Sequence, residues 1–138
     1  MIKYSIGDMA KVSKTISESD IYSFAGISGD FNPVHVNSVE ASKSVFGRQI
    51  AHGFLVGSLI SNCIGMKLPG DGTIYMEQDM KFLKPVYIGD TVTACVKVSE
   101  IINEKKNVLK LATTVLNQNN DIVIDGYEVV KAPKGEEQ

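Results

Sequence analysis

The stretch HGFLVGSLISNCIGM at residues 52–66 decides the fold. Its apolar residues spread over most of a helical wheel instead of forming one stripe, which is typical of a helix buried on most sides. The turn-forming sequence LPGDG at residues 68–72 follows it and predicts where the helix ends. Gln49, His52 and Ser61 interrupt the uncharged run around it and favour a buried helix over a membrane span. We therefore expect no association with a membrane.

Alternating apolar and polar residues follow this helix, and a period of two predicts β-strands. The clearest alternation is that of Val92, Ala94, Val96 and Val98. The predicted strands cover residues 73–83, 91–98, 109–115 and 122–132, with a weaker candidate at 9–15. Mostly short connections join the first four, so we expect an antiparallel meander. The predicted fold class is α+β, with an antiparallel sheet wrapped around one long central helix.

Two shorter helices are predicted before residue 50. Ser17 followed by Asp20 resembles a capping box, and the helix it begins should run to about Ala25, where glycines end it. A second helix, capped by Asn37 or Ser38, is predicted through residues 39–44.

Composition and charge indicate the class of protein and exclude some partners. The chain has 138 residues, 43% of them hydrophobic and 22% charged, which fits one globular domain over residues 1–138 with a frayed tail at 133–138. The 14 Lys and Arg against 16 Asp and Glu give a net charge of −2, so nucleic acid is not an expected partner. Cys63 and Cys95 fit neither a zinc spacing nor a disulfide framework and are expected to be buried. The N-terminal sequence lacks a signal-peptide core, so we expect a cytoplasmic location.

One group of polar residues lies in GDFNPVH, residues 29–35. Gly and Pro break this segment, so we expect irregular backbone rather than a helix to present Asp30 and His35, as is common for functional groups. An alternative is purely structural: Asp30 and Asn32 make turns or cap the next helix, and His35 fills a polar niche.

A second group, AHGF at residues 51–54, begins the central helix. The free N–H groups and the dipole at a helix N-terminus attract an anion or a developing oxyanion, and Gly53 would let a ligand approach closely. Alternatively, Gly53 permits tight packing and His52 bonds a carbonyl. Ser61, two turns further on, faces the same cavity or bonds the preceding turn. An acid, a histidine and an N–H donor are the parts needed to add water to an activated double bond.

These residues resemble the MaoC-like family of (R)-specific enoyl-CoA hydratases, which have the hot-dog fold. The resemblance is carried by DFNPVHV at residues 30–36, AHG at 51–53 and IGD at 88–90, and it extends over nearly the whole chain. It implies a curved antiparallel sheet around the central helix, and homodimers with active sites at the subunit interface. It also implies a reversible syn addition of water to trans-2-enoyl-CoA, giving the (R)-3-hydroxyacyl-CoA.

The resemblance also implies roles for individual residues. Asp30 and His35 match the catalytic pair, the Gly53 amide matches the oxyanion donor, and Ser61 lines the site. We add Asn32 and His52, which lie in the same motifs, as substrate-binding residues. No cofactor and no metal are implied, because the thioester itself activates the alkene.

Two functions besides the hydratase stay open at this point. Hot-dog acyl-CoA thioesterases usually place an acid on the central helix, and residues 52–66 contain none. A non-catalytic module that binds acyl-CoA or an acyl carrier is the third function. Which of Asp30 and His35 accepts the proton of water is also open, as is the choice between coenzyme A and an acyl-carrier protein.

Overall fold

The computed structural model describes residues 3–134. In chain order its elements are β1 (Met9–Thr15), α1 (Glu18–Ser28), α2 (Pro33–Val36), α3 (Ser38–Ser42), α4 (Gly53–Met66), β2 (Ile74–Phe82), β3 (Thr91–Asn103), β4 (Val108–Leu116) and β5 (Ile122–Lys131). These elements confirm the predicted α+β class. Of the predicted frayed tail, Pro133 and Lys134 have no regular structure, and the rest lies outside the described residues.

The five strands form one antiparallel sheet in the order β1-β3-β4-β5-β2. The predicted meander is confirmed for β3, β4 and β5 but is wrong for β2, which pairs with β5 at the far edge. The reason is the connection at residues 83–90, which is no hairpin turn. Tyr87 bridges to Ile50 in this connection, and the Gly89 N–H donates to the Ile16 carbonyl at 2.7 Å. These contacts carry the chain across the protein from one edge to the other.

The core lies between α4 and the sheet. The alternation predicted for β3 is confirmed, since Val92, Ala94, Val96 and Val98 are all 0% exposed. Cys63 on α4 is buried as predicted, whereas Cys95 is only half-buried because it lies on the opposite face of β3.

Helix α4 is less enclosed than its sequence predicts. Its buried side chains include Val56, Leu59, Ile60, Cys63 and Ile64. Phe54 and Met66, however, are 67% and 77% exposed. The expectation of burial on most sides is therefore wrong for one face, because the open sheet of a single chain covers only the other. None of the helices within residues 3–134 combines the length and the hydropathy that a membrane crossing requires.

The N-terminal helices follow their capping signals. The Ser17 hydroxyl accepts from the Asp20 N–H at 3.0 Å, and the Asp20 carboxylate accepts from the Ser17 N–H at 2.9 Å, which confirms the capping box. The predicted end at Ala25 is too early, because α1 continues through Gly26 and ends at Gly29, whose φ of 80° suits glycine. Asn37 caps α3 as predicted.

The carboxyl group of a buried glutamate connects three neighbouring strands of the sheet by hydrogen bonds. Glu128 on β5 is 0% exposed. It accepts hydrogen bonds from Thr113 on β4 and from the Gln78 side chain on β2, and the Tyr75 hydroxyl donates in turn to Gln78. Burial raises the pKa of Glu128 from 4.5 to about 7, although both hydrogen bonds oppose the shift.

This pKa predicts how stability depends on pH. The folded protein holds the Glu128 proton more tightly than the unfolded chain does. Protonated Glu128 therefore contributes its full share to the free energy of unfolding below pH 4.5, and this contribution is lost as pH rises towards 7. At about 1.4 kcal/mol per pKa unit, the loss is on the order of 3 kcal/mol. Glu128→Gln removes the titration; its amide oxygen still accepts from Gln78, and its amide N–H can donate to the Thr113 hydroxyl. Urea unfolding at pH 5 and pH 8 should therefore show the variant gaining on the wild type as pH rises.

The matched control is Glu77→Gln, which makes the same change at an exposed position on β2. It should leave the difference between the two pH values unchanged. A Glu128→Gln variant that follows the wild type in parallel at both pH values would contradict the prediction.

Candidate active site

The backbone of residues 29–37 presents the first two functional side chains. Asp30 lies in irregular backbone as predicted, but the expectation that no helix includes His35 is wrong. Asn32 caps the one-turn helix α2, accepting from the Val34 N–H at 3.4 Å, and Pro33 occupies its first turn. Proline is favoured there because its missing N–H has no partner to lose.

Asp30 and His35 approach each other without touching. Asp30 Oδ1 accepts from the Asn32 N–H at 3.1 Å, so the predicted turn is present, and this turn leaves Oδ2 free. The distance from Oδ2 to His35 Nε2 is 4.0 Å. That is too long for a direct hydrogen bond, but a water about 2.8 Å from both atoms would bind them at an angle of roughly 90°. The pair can therefore hold one water molecule.

The tautomer of His35 follows from its second ring nitrogen. Nδ1 lies 2.8 Å from the carbonyl oxygen of Ile50. A carbonyl oxygen only accepts, so Nδ1 carries the hydrogen and the neutral ring keeps a lone pair on Nε2. This lone pair is on the atom nearest the Asp30 carboxylate, so it can accept a proton there.

His52 supports this pair from the protein interior. It is 2% exposed, and its Nε2 donates to the backbone carbonyl of Asp30 at 2.9 Å. Its ring stacks on that of His35, with centroids 3.9 Å apart, and lies beside that of Phe24, with centroids 4.9 Å apart. Nδ1 of His52 is buried without a hydrogen-bond partner among the described residues.

Asp30, His35 and His52 each offer a ligand atom within 4.8 Å of the others, a spacing at which three groups could hold a metal ion. Backbone carbonyls already occupy one nitrogen of each ring. The stacked rings are tilted by only 26°, so their planes converge too slowly for one ion to lie in both at a Zn–N distance of about 2.1 Å. The arrangement suits proton transfer better than metal binding.

The N-terminus of α4 faces the same region. His52 occupies the N-cap position without a capping side-chain bond, and the Gly53 N–H is the first of the helix. A Cβ atom added to Gly53 would lie 2.6 Å from Cε1 of Phe82. Glycine at this position therefore lets β2 approach the start of the helix.

An apolar cleft of about 420 Å³ connects these parts. His35 and Gly53 both line it. The apolar residues that line it are Phe46, Ile50, Ala51, Phe54, Val56, Phe82, Leu83, Pro85, Val86, Val123 and Ile124. The cleft can hold an apolar chain whose polar end lies between a proton acceptor and a helix N-terminus.

The structure thus brings four of the six predicted site residues together and leaves two apart from them. Asp30, His35 and His52 form one cluster, and Gly53 shares the cleft with His35. Asn32 is exposed and caps α2, and Ser61 is exposed on α4, about 12 Å along the helix axis from Gly53.

Sequence reasoning missed Ile50 and Phe82 as parts of the site. Ile50 contributes only a carbonyl oxygen, which every residue has, and Phe82 reaches the site through the unexpected placement of β2. It also missed Gln49, whose signal was a polar side chain beside the AHG motif.

Comparison with known proteins gives consistent matches. The MaoC like domain family matches residues 7–120. An (R)-specific enoyl-CoA hydratase of Rhodospirillum rubrum is 49% identical over 92% of this chain and 87% of its own. A 3-hydroxybutyryl-CoA dehydratase of Methylorubrum extorquens is 43% identical over 91% of this chain and 79% of its own. The solved structure of an (R)-hydratase from A. caviae superimposes with a TM-score of 0.91 at 38% identity, covering 95% of this chain and 98% of that one.

Proposed function

The chain belongs to the MaoC-like family, and from this premise we propose that it is an (R)-specific enoyl-CoA hydratase. It adds water reversibly to trans-2-enoyl-CoA thioesters, and in the opposite direction it dehydrates 3-hydroxyacyl-CoA. The observation that carries the proposal is the water-sized gap of 4.0 Å between Asp30 and His35, beside an apolar cleft that also reaches Gly53. We propose a cytoplasmic location as well, as predicted from the sequence.

The Asp30–His35 pair activates the water. His35 Nε2 is the only ring nitrogen of this residue with a free lone pair, because Nδ1 donates to Ile50. We assign it as the group that takes one proton while the water oxygen attacks C3. The Asp30 carboxylate accepts a hydrogen bond from the remaining O–H, which stays on the product as its hydroxyl group, and stabilises the imidazolium that forms. Transfer of the proton from Nε2 to C2 on the same face completes a syn addition and restores the neutral ring.

Gly53 stabilises the charge that develops on the thioester. Attack at C3 moves electrons onto the carbonyl oxygen, which needs a fixed donor. The Gly53 N–H at the start of the 14-residue α4 supplies that donor and the positive end of the helix dipole. The acyl chain occupies the apolar cleft, since Gly53 lines this cleft.

We propose that the active form is a homodimer. Both edge strands expose their backbone, and an exposed edge favours pairing unless charged residues prevent it. Edge strand β1 carries Lys11 and Lys14, whereas β2 begins with the exposed apolar residues 74–76. Pairing through β2 would place the exposed face of α4, and Ser61 with it, beside the partner. A substrate-binding role for Ser61 therefore depends on the presence of the partner subunit.

The test of the function is incubation with crotonyl-CoA. A hydratase consumes the enoyl absorbance without releasing thiol, and the product should be (R)-3-hydroxybutyryl-CoA. Release of free thiol would instead identify a thioesterase, and binding without turnover would identify a non-catalytic module. Either result would refute the proposal.

The catalytic pair is tested by Asp30→Asn. Asparagine keeps the Oδ1 acceptor that the Asn32 N–H needs, so the local turn should survive, but it removes the negative charge. We expect kcat to fall by about 10² to 10⁴, with a much smaller change in KM. Asp125→Asn, an exposed position on β5, is the matched control and should keep wild-type kinetics. Retained turnover in folded Asp30→Asn would leave the fold intact and defeat the mechanism.

The oxyanion donor is tested by Gly53→Val. The side chain would displace Phe82 and crowd the thioester oxygen away from the N–H, so we expect kcat to fall by about 10² to 10³. Gly57→Val is the matched control in the same helix. A Cβ there would meet Met80 Sδ at 2.7 Å, so it also displaces a flexible side chain of β2, but one turn away from the N–H. Equal losses in the two variants would show that crowding by β2, and not loss of the donor, lowers the rate.

The dimer is tested by light scattering. We expect a mass twice that of the 15.0 kDa chain at micromolar concentration. Met76→Lys places a charge on the β2 edge and should shift the mass towards the monomer. Ile102→Lys, an exposed apolar position in an irregular part of β3, is the matched control and should not shift it. A monomeric and fully active wild type would contradict the prediction.

A further inference from the structure

Gln49 is a buried polar residue that the mechanism above does not use. It is 8% exposed and lies in the segment that leads into α4. Its Nε2 atom donates to the backbone carbonyl of His35 at 2.7 Å and to the Tyr22 hydroxyl at 3.2 Å. Both N–H bonds of the amide therefore have partners, and one of them is on a residue of the catalytic pair.

The carbonyl of His35 has no partner within its own helix. Helix α2 has a single turn, and the N–H four residues after His35, that of Val39, donates to Asn37 Oδ1 at 3.1 Å instead. A buried carbonyl without a donor costs about 1 to 3 kcal/mol. The Gln49 side chain supplies the missing donor and so fixes the end of α2.

The same hydrogen-bond chain extends to the surface of α1. The Tyr22 hydroxyl donates to Glu18 Oε1 at 2.6 Å, so its oxygen is left to accept from Gln49. The bonds from Gln49 to Tyr22 and from Tyr22 to Glu18 run in one direction and strengthen each other, and the bond to the His35 carbonyl branches from the same amide nitrogen. Glu18, Tyr22 and Gln49 thus connect α1 to the residue that holds the reacting nitrogen.

Two consecutive residues form hydrogen bonds with the backbone and with the side chain of His35. Gln49 binds its backbone carbonyl, and the Ile50 carbonyl binds its Nδ1. We propose that Gln49 is a positioning residue for His35, which keeps Nδ1–H on Ile50 and directs the Nε2 lone pair towards Asp30. Its effect on rate rests on the proposed hydratase function, whereas its effect on the ring of His35 does not.

The test is Gln49→Met, which keeps the length of the side chain and removes both donors. We expect kcat to fall by about 10- to 100-fold with little change in KM, because a small displacement of a reacting group has effects of this size. The chain has two histidines, so ¹⁵N-histidine NMR of the untagged protein shows only two rings. The wild-type His35 ring should show protonated Nδ1 alone, and in the variant the two tautomers should mix.

Gln78→Met is the matched control. It removes a half-buried amide that donates to Glu128 and makes no hydrogen bond to His35, so it should lower the melting temperature but keep kcat and the His35 spectrum. Gln49→Glu is a second variant of nearly identical shape, in which a carboxylate replaces the donor. It should reproduce the effects of Gln49→Met if the apolar variant does not fold.

Unchanged kcat and an unchanged His35 spectrum in either Gln49 variant would overturn the proposal. So would a fall in kcat with an unchanged spectrum, because the loss would then not act through the ring of His35. A wild type without hydratase activity would refute the proposed function alone, since the NMR comparison would still decide whether Gln49 positions His35.

Discussion

The hydrogen bond from His35 Nδ1 to the Ile50 carbonyl is the interaction on which the chemistry depends. At 2.8 Å it determines which ring nitrogen carries the hydrogen, and so which one can accept a proton. It also joins two parts of the chain, because Ile50 belongs to the segment that begins α4. The acid–base pair and the helix N-terminus therefore keep a constant relative position. An enzyme that moves a proton and stabilises a carbonyl charge in one step needs this rigidity.

The open sheet explains why this rigid site lies beside an exposed apolar surface. One layer of strands covers one side of α4, and the other side keeps Phe54 largely exposed. Phe54 also lines the apolar cleft, as does Phe82 on the edge strand β2. A second copy of the chain that paired with β2 would cover this surface and enclose the cleft at once. The proposed homodimer would thus satisfy a requirement of the fold and a requirement of the active site together.

The sequence predicted the features that depend on neighbouring residues. The apolar run of α4, the alternation in β3 and the Ser17 capping box are set by residues a few positions apart, and all three are found. The position of β2 depends on contacts with β5, about 50 residues later, and no local pattern contains that information. The helical turn at Pro33–Val36 differs from the predicted irregular backbone because proline, which interrupts a helix, is also a favoured first residue of one.

In the site, too, some residues could be predicted from the local sequence and others could not. Asp30 and His35 stood out because irregular backbone commonly presents functional groups, and the structure places their side chains 4.0 Å apart. Ile50 could not be found in this way, because a backbone carbonyl gives no sequence signal. Gln49 could have been found, since a buried amide needs partners on other elements. The role of a buried polar residue such as Gln49 is thus found in the backbone groups to which it donates, here the His35 carbonyl in a helix too short to supply a donor of its own.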